Sequence, residues 1–279
     1  MSFTVFALVL LGAALHAGWN LVVKRGADTL RTSIAVAISA AGIAALGLPF
    51  VAAPKPASWP YAAASVSLQV VYWVAVANAY RVADLGRAYP LMRGTAPLLV
   101  AMVSITAFGE ALGTVAWIGV GLLCCGVAAM ALSGRRGGGD GRGVVVALAT
   151  AAVIAAYTIV DGIGVRLSGS PVGYTLWVFL LTALPLAAWA ARRDGRDFPR
   201  YLMDHLGVGL LGGLGTLASY GIALWAMTRA PVAMVAALRE TSILFATVIA
   251  VLVLKERLDA GRIVAVALIA AGAAALRLA

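Results

Sequence analysis

Charge is scarce in this sequence. Only 11% of its 279 residues are Asp, Glu, Lys or Arg, against 63% apolar, where a soluble domain carries roughly a quarter charged and half apolar. A soluble enzyme is thereby excluded, and an integral membrane protein remains. Acids are scarcer still, 11 against 21 bases, for a net charge of +10. This excess does not mark a nucleic-acid binder, because the bases sit in short gaps between apolar runs rather than along one face. The two cysteines, Cys124 and Cys125, are adjacent, so they form neither a disulfide framework nor a spaced metal motif. The two histidines, His16 and His205, fall in unrelated segments, and no His-Glu-x-x-His or Gly-x-Ser-x-Gly motif occurs. Those absences argue against an intramembrane enzyme, and no cofactor is expected. The first apolar run lacks a basic leader and is followed by Lys24-Arg25, the wrong polarity for a cleaved signal, so it reads as an uncleaved first span.

Long apolar runs are abundant. A spanning helix needs about 20 mostly apolar residues. Gaps marked by Pro, Gly or charge divide the chain into ten such runs, near 3–23, 32–52, 60–80, 86–107, 112–132, 143–165, 172–191, 206–227, 232–254 and 260–277. Leu91 to Leu132 and Ala237 to Leu278 align without a gap at an offset of 146 residues, matching Arg93 with Arg239, Thr95 with Thr241 and Glu110 with Glu256. Arginine and glutamate are costly inside lipid, so their coincidence points to a duplicated unit. Five spans per unit force the second copy upside down.

The gap charges fit this inversion. In the first half Lys24, Arg25, Arg31, Arg81 and Arg87 follow spans one and three. In the second half Arg192, Arg193, Arg196 and Arg200 follow span seven, and Lys255, Arg257 and Arg262 follow span nine. With linker residues Arg135, Arg136 and Arg142, the positive-inside rule puts these gaps in the cytoplasm and both termini outside. The expected organisation is a first five-helix repeat over 1–134, a basic glycine-rich linker over 135–142 around Gly137-Gly138-Gly139, and a second repeat over 143–279. Gly209 and Gly213, like Gly121 and Gly126, are expected at close helix approaches.

Arg93 and Arg239 lie several residues inside spans and should face a polar interior; snorkelling to an interface is the alternative. Inversion is expected to set them at opposite depths, too far apart to hold one small ligand together. Asp161 and Glu240 fall near the depth of Arg239. A guanidinium with two acids suits a zwitterion, or an acid that exchanges a proton for substrate; the bland alternative is an ion pair neutralising Arg239. His16, with Trp19 and Asn20 one turn on, either titrates or is tied locally. Tyr72, Trp73 and Tyr80, then Tyr157, then Tyr220 and Trp225 are aromatics for a cavity or an interface belt; Tyr157 is the best placed for a cavity. Pro90 and Pro97 are expected to kink span four near Arg93. Glu110 and Glu256 read as structural acids at helix starts.

The turns Gly109-Glu110-Ala111-Leu112 and Lys255-Glu256-Arg257-Leu258, each leading into a Gly/Ala-rich helix, together with His16-Ala17-Gly18-Trp19-Asn20 and Ala156-Tyr157-Thr158-Ile159-Val160-Asp161-Gly162, resemble EamA-type members of the drug/metabolite transporter superfamily. The resemblance implies alternating access, a central cavity lined by spans one, three, four, six, eight and nine, spans five and ten at the periphery, and small-molecule substrates. The expectation is therefore an all-α integral membrane protein of the cytoplasmic membrane, ten helices in two inverted five-helix repeats. It would act as a secondary transporter for a small zwitterionic or anionic metabolite, export slightly favoured over uptake, with a proton as possible coupling ion. The bilayer is its other partner, nucleic acid is not one, and monomer and homodimer both stay open. A cationic or lipophilic drug exporter, a channel or scaffold, and an intramembrane enzyme are the alternatives.

Overall fold

The computed structural model describes residues 1–24, 28–82, 85–133, 141–255 and 259–279. Within these, the side chains of 22, 24, 74, 76–82, 85–90, 131–133, 141–142, 253 and 254 are not described. The side chains of Tyr80, Arg81, Arg87 and Pro90, the Gly137–Gly139 run and Glu256 therefore lie outside the described residues.

Every described element is helical, as apolar sequence in lipid requires, since a helix satisfies its own backbone polar groups. The order is α1 (Phe3–Lys24), α2 (Thr29–Gly47), α3 (Trp59–Val82), α4 (Leu85–Phe108), α5 (Thr114–Ser133), α6 (Gly141–Ser168), α7 (Pro171–Asp194), α8 (Asp197–Asp204), α9 (Leu206–Met227), α10 (Val232–Arg239), α11 (Ser242–Leu254) and α12 (Ala260–Leu278). Two short 3₁₀ turns link α2 to α3. Among the described residues, eight helical segments are long and apolar enough to cross a membrane, and α10 with α11 forms one of them, Val232–Leu252. The described apolar stretch of α5, Thr114–Met130, is shorter. Gly141 and Arg142 belong to α6 rather than to the expected linker.

Two features depart from the expected spans. The short helix α8 fills the gap after α7, with Phe198 buried against Ile34 and Ala190. The second is the interruption between α10 and α11. Glu240 N and Thr241 N bond to carbonyls three residues back, Ala237 O and Leu238 O, at 3.0 Å each, and Thr241 Oγ1 adds a bond to Leu238 O at 2.6 Å. These tight local bonds replace the regular ladder. The kink expected at Pro90 and Pro97 does not appear as a break, since α4 runs unbroken through both prolines. The interruption falls instead between α10 and α11, where there is no proline.

α5 and α12 lie along each other at the edge of the bundle, brought close by glycines. A Cβ on Gly126 would sit 2.6 Å from Ile269 Cγ1, and one on Gly272 would sit 2.8 Å from Gly119 O. Gly209 and Gly213 likewise press α9 onto Ser39 and Ala40 of α2. Gly121 does not, because it faces open space. The outer surface is apolar, with Phe3, Leu46, Phe50 and Leu252 all largely exposed, as lipid-facing positions require.

One end of the bundle collects α4–α5, α6–α7 and α9–α10. There the Glu110 carboxylate accepts from Arg166 Nη2 at 2.5 Å and from Val232 N at 3.0 Å. Arg166 also donates to Met227 O at 2.8 Å and lies 4.7 Å from the Phe108 ring. Glu110 thus caps α10, across the chain, rather than its own following helix α5. At the other end Arg31 Nε donates to Asp194 at 3.0 Å, and Thr32 Oγ1 pairs with Tyr201 OH at 2.7 Å.

Candidate functional site

Asp161, in α6, is fully buried. A buried carboxylate needs hydrogen-bond donors, and it receives hydroxyls from three other helices. Tyr174 OH of α7 donates to Oδ1 at 3.0 Å, Tyr220 OH of α9 donates to Oδ2, and Ser65 of α3 supplies a third bond. Ser65 Oγ in turn accepts from Gln69 Nε2 at 3.0 Å. Tyr174 reaches the acid because Gly164, one turn beyond Asp161, offers no side chain; a Cβ there would overlap the phenol.

Arg93 of α4 and Glu240 of the α10–α11 break form a buried ion pair, Nε to Oε2 at 3.0 Å. Both are buried and each neutralises the other, as the interior demands. Inversion was expected to set Arg93 and Arg239 at opposite depths; the ion pair joins Arg93 to the residue that follows Arg239. Glu240 sits one residue further along its helix than Arg239, and the long arginine side chain spans what separation is left.

Arg239 is treated differently. Its guanidinium lies 5.1 Å from the Tyr220 ring centroid, a cation–π contact, and among the described residues no carboxylate comes within ion-pair distance of it. It is half-buried. The charges of Arg93 and Arg239 both act on His16 of α1, and that of Arg239 on Asp161, Tyr157 and Glu240, so these groups share one electrostatic neighbourhood. Tyr157 and Tyr72 meet edge to face with centroids 5.8 Å apart. The centre of the bundle thus holds one neutralised arginine, one available arginine, one hydroxyl-bound acid and a rim of aromatic rings.

Residues 141–278 match the sequence model described as the EamA-like transporter family. This chain belongs to the EamA-like transporter family. A solved crystal structure aligns over 99% of this chain and 98% of its own with a TM-score of 0.75 at 21% identity, a likeness of fold alone. No curated protein sequence matches the chain. Family and helices together make it a multi-pass membrane transporter of the drug/metabolite superfamily.

Within this EamA-like bundle the structure gathers His16, Tyr72, Arg93, Tyr157, Asp161, Tyr220, Arg239 and Glu240. Others from the sequence reading fall elsewhere or act locally. Trp19 Nε1 donates to His16 Nδ1 at 3.3 Å and Asn20 Nδ2 to His16 O at 2.7 Å, so both serve the histidine. Trp73 packs with Ile34, Leu186 and Phe198, away from the charges. Trp225 sits near the end of α9, its ring 5.6 Å from Arg229. Glu240 is paired with Arg93. Sequence reasoning overlooked Tyr174, Ser65 and Gln69. The resemblance left span seven out of the cavity, yet α7 supplies Tyr174; the available signal was Gly164, a missing side chain one turn from a buried acid. The open depression of about 520 Å³ lined by Leu112, Arg229, Pro231 and Ala279 lies at the bundle end, apart from this cluster.

Proposed function

We propose that the chain is a secondary transporter that moves a small anionic or zwitterionic metabolite across the cytoplasmic membrane by alternating access, with Arg239 as the anion contact. The observation carrying this reading is Arg239 itself. A guanidinium held inside an apolar bundle, over the Tyr220 ring and with no carboxylate at ion-pair distance among the described residues, is a charge awaiting a counterion, and a planar fork suits carboxylate or phosphate. Its neighbour Arg93 already has Glu240. The break after Arg239 fits this role, because interrupted helices expose polar backbone to substrates in transporters.

The proposed organisation is ten crossings in two inverted five-helix units, 1–134 and 143–279, joined by a basic linker, with both termini outside. The helix boundaries support it: α5 opens at Thr114 and α12 at Ala260, the offset of 146 residues read from the sequence. Packing supports it too, since α3 lies on α6 as α9 lies on α1. Export is the favoured direction.

Thermal-shift screening of the purified protein against amino acids, phosphonates, nucleosides and organic anions tests the reading. One anionic or zwitterionic class should stabilise the protein, and Arg239→Ala should abolish that shift. Counterflow into liposomes should then show saturable exchange of the same class. No flux across the panel would overturn the proposal, and cation export retained in Arg239→Ala would replace it with a cation exporter.

A further inference from the structure

We propose that Tyr220 is a positioning residue that makes anion binding at Arg239 depend on protonation of Asp161. The inference rests on the transporter reading above. Among the described residues Tyr220 touches both charges: its hydroxyl donates to Asp161 Oδ2 and its ring faces the Arg239 guanidinium at 5.1 Å.

An ionised carboxylate only accepts hydrogen bonds, whereas a protonated one must also donate. With Asp161 ionised, Tyr174, Tyr220 and Ser65 all direct hydroxyls at it. When Asp161 gains a proton, one of the three has to turn and accept, and its own hydroxyl proton then needs another acceptor. Tyr174 is fully buried and clamped against Gly164. Ser65 is fully buried and its oxygen already accepts from Gln69 Nε2. Tyr220 is half-buried, with Arg239 and Phe179 beside its ring. Of the three hydroxyl residues it alone is not fully buried, and its ring is the one that borders Arg239.

The proton accounting is simple. The incoming proton ends on Asp161 Oδ2, Tyr220 keeps its own proton, and no other covalent bond forms or breaks. An anion on Arg239 gains a second donor, the Tyr220 hydroxyl, only when Asp161 is protonated, so protonation of Asp161 strengthens anion binding. The polar groups facing Asp161 are Ser65 from α3, Tyr174 from α7, Tyr220 from α9, Arg239 from α10 and Tyr157 from its own helix.

The proton is the probe. Infrared difference spectra of the full-length protein in lipid bilayers, with isotopically labelled tyrosine, are recorded as the pH is lowered. In the wild type a carboxylic-acid carbonyl band and a tyrosine hydroxyl-bending change should rise with one midpoint. Asp161→Asn should lose both. Tyr220→Phe should keep the acid band at a shifted frequency and lose the tyrosine change, whereas Tyr174→Phe should keep that change. An acid band without any tyrosine change in the wild type would overturn the proposal, even if no variant folds. So would a tyrosine change surviving in Tyr220→Phe, or an acid band surviving in Asp161→Asn. Arg239→Ala should shift the midpoint but retain both signals while losing ligand stabilisation, so the relay and the transporter reading fail on separate measurements.

Discussion

The two arginines inside the bundle place opposite demands on their surroundings, and substitution separates them. Removing one partner of the Arg93–Glu240 pair, 3.0 Å apart with side chains 10% and 7% exposed, leaves a buried charge uncompensated, at a cost of about 3–5 kcal/mol. Glu240→Ala should therefore unfold at a markedly lower temperature. Arg93→Met combined with Glu240→Met removes both charges together and should recover most of that loss; a thermal-melt double-mutant cycle measures the coupling. Among the described residues Arg239 has no such ion pair to break. Arg239→Lys keeps the charge but loses the flat face over Tyr220 and the two-pronged grip on an anion. It should leave the melting temperature of the empty protein nearly unchanged and weaken ligand stabilisation about tenfold, equal to ~1.4 kcal/mol. A similar loss of unliganded stability would assign Arg239 a structural role.

Helices in this molecule meet where side chains are missing, which makes their contacts easy to perturb selectively. A Cβ at Gly126 would fall 2.6 Å from Ile269 Cγ1 and 2.9 Å from Ala265 O, the second a backbone atom that cannot rotate away. Gly126→Val should destabilise the α5–α12 pair by about 1–3 kcal/mol. Gly121→Ala, facing open space, should be neutral or slightly stabilising, because glycine is a weak helix former. Both had been expected at a close approach; periodicity cannot say which side of an all-apolar helix meets protein and which meets lipid. The all-helical, membrane-spanning character was legible, because about 20 apolar residues is a physical threshold, and eight such segments stand among the described residues. The α10–α11 break was not, since it depends on Thr241 turning its hydroxyl onto Leu238 O and carries no proline or glycine. Nor was the Asp161 cage, whose donors come from three other helices. Glu110 was legible as a structural acid at a helix start, though the helix it caps lies across the chain. Glu110→Ala should cost about 0.5–2 kcal/mol through the lost cap on Val232, and Glu110→Gln, which keeps an acceptor, should cost less.

At the scale of the whole molecule, contacts at the two ends of the bundle make orientation testable. The turn Gly169 and the segment around Arg229 lie at the end with Glu110 and Arg166, whereas Arg196 lies at the end with Arg31 and Asp194. Both existing cysteines lie within α5, Cys124 buried and Cys125 exposed on the helix flank. Replacing them with alanine gives a background free of thiols, because the sequence holds no others. Single cysteines at Arg229 and at Arg196 should then label from opposite sides of an intact cell. The four arginines between 192 and 200 place that segment inside under the positive-inside rule, so Arg229→Cys should react with an impermeant maleimide added outside, and Arg196→Cys only after permeabilisation. The reverse pattern would keep the bundle but turn it over, moving the Glu110–Arg166 end to the cytoplasm. Labelling of both from outside would remove an odd number of crossings between them, and with it the inverted pair of units on which alternating access depends.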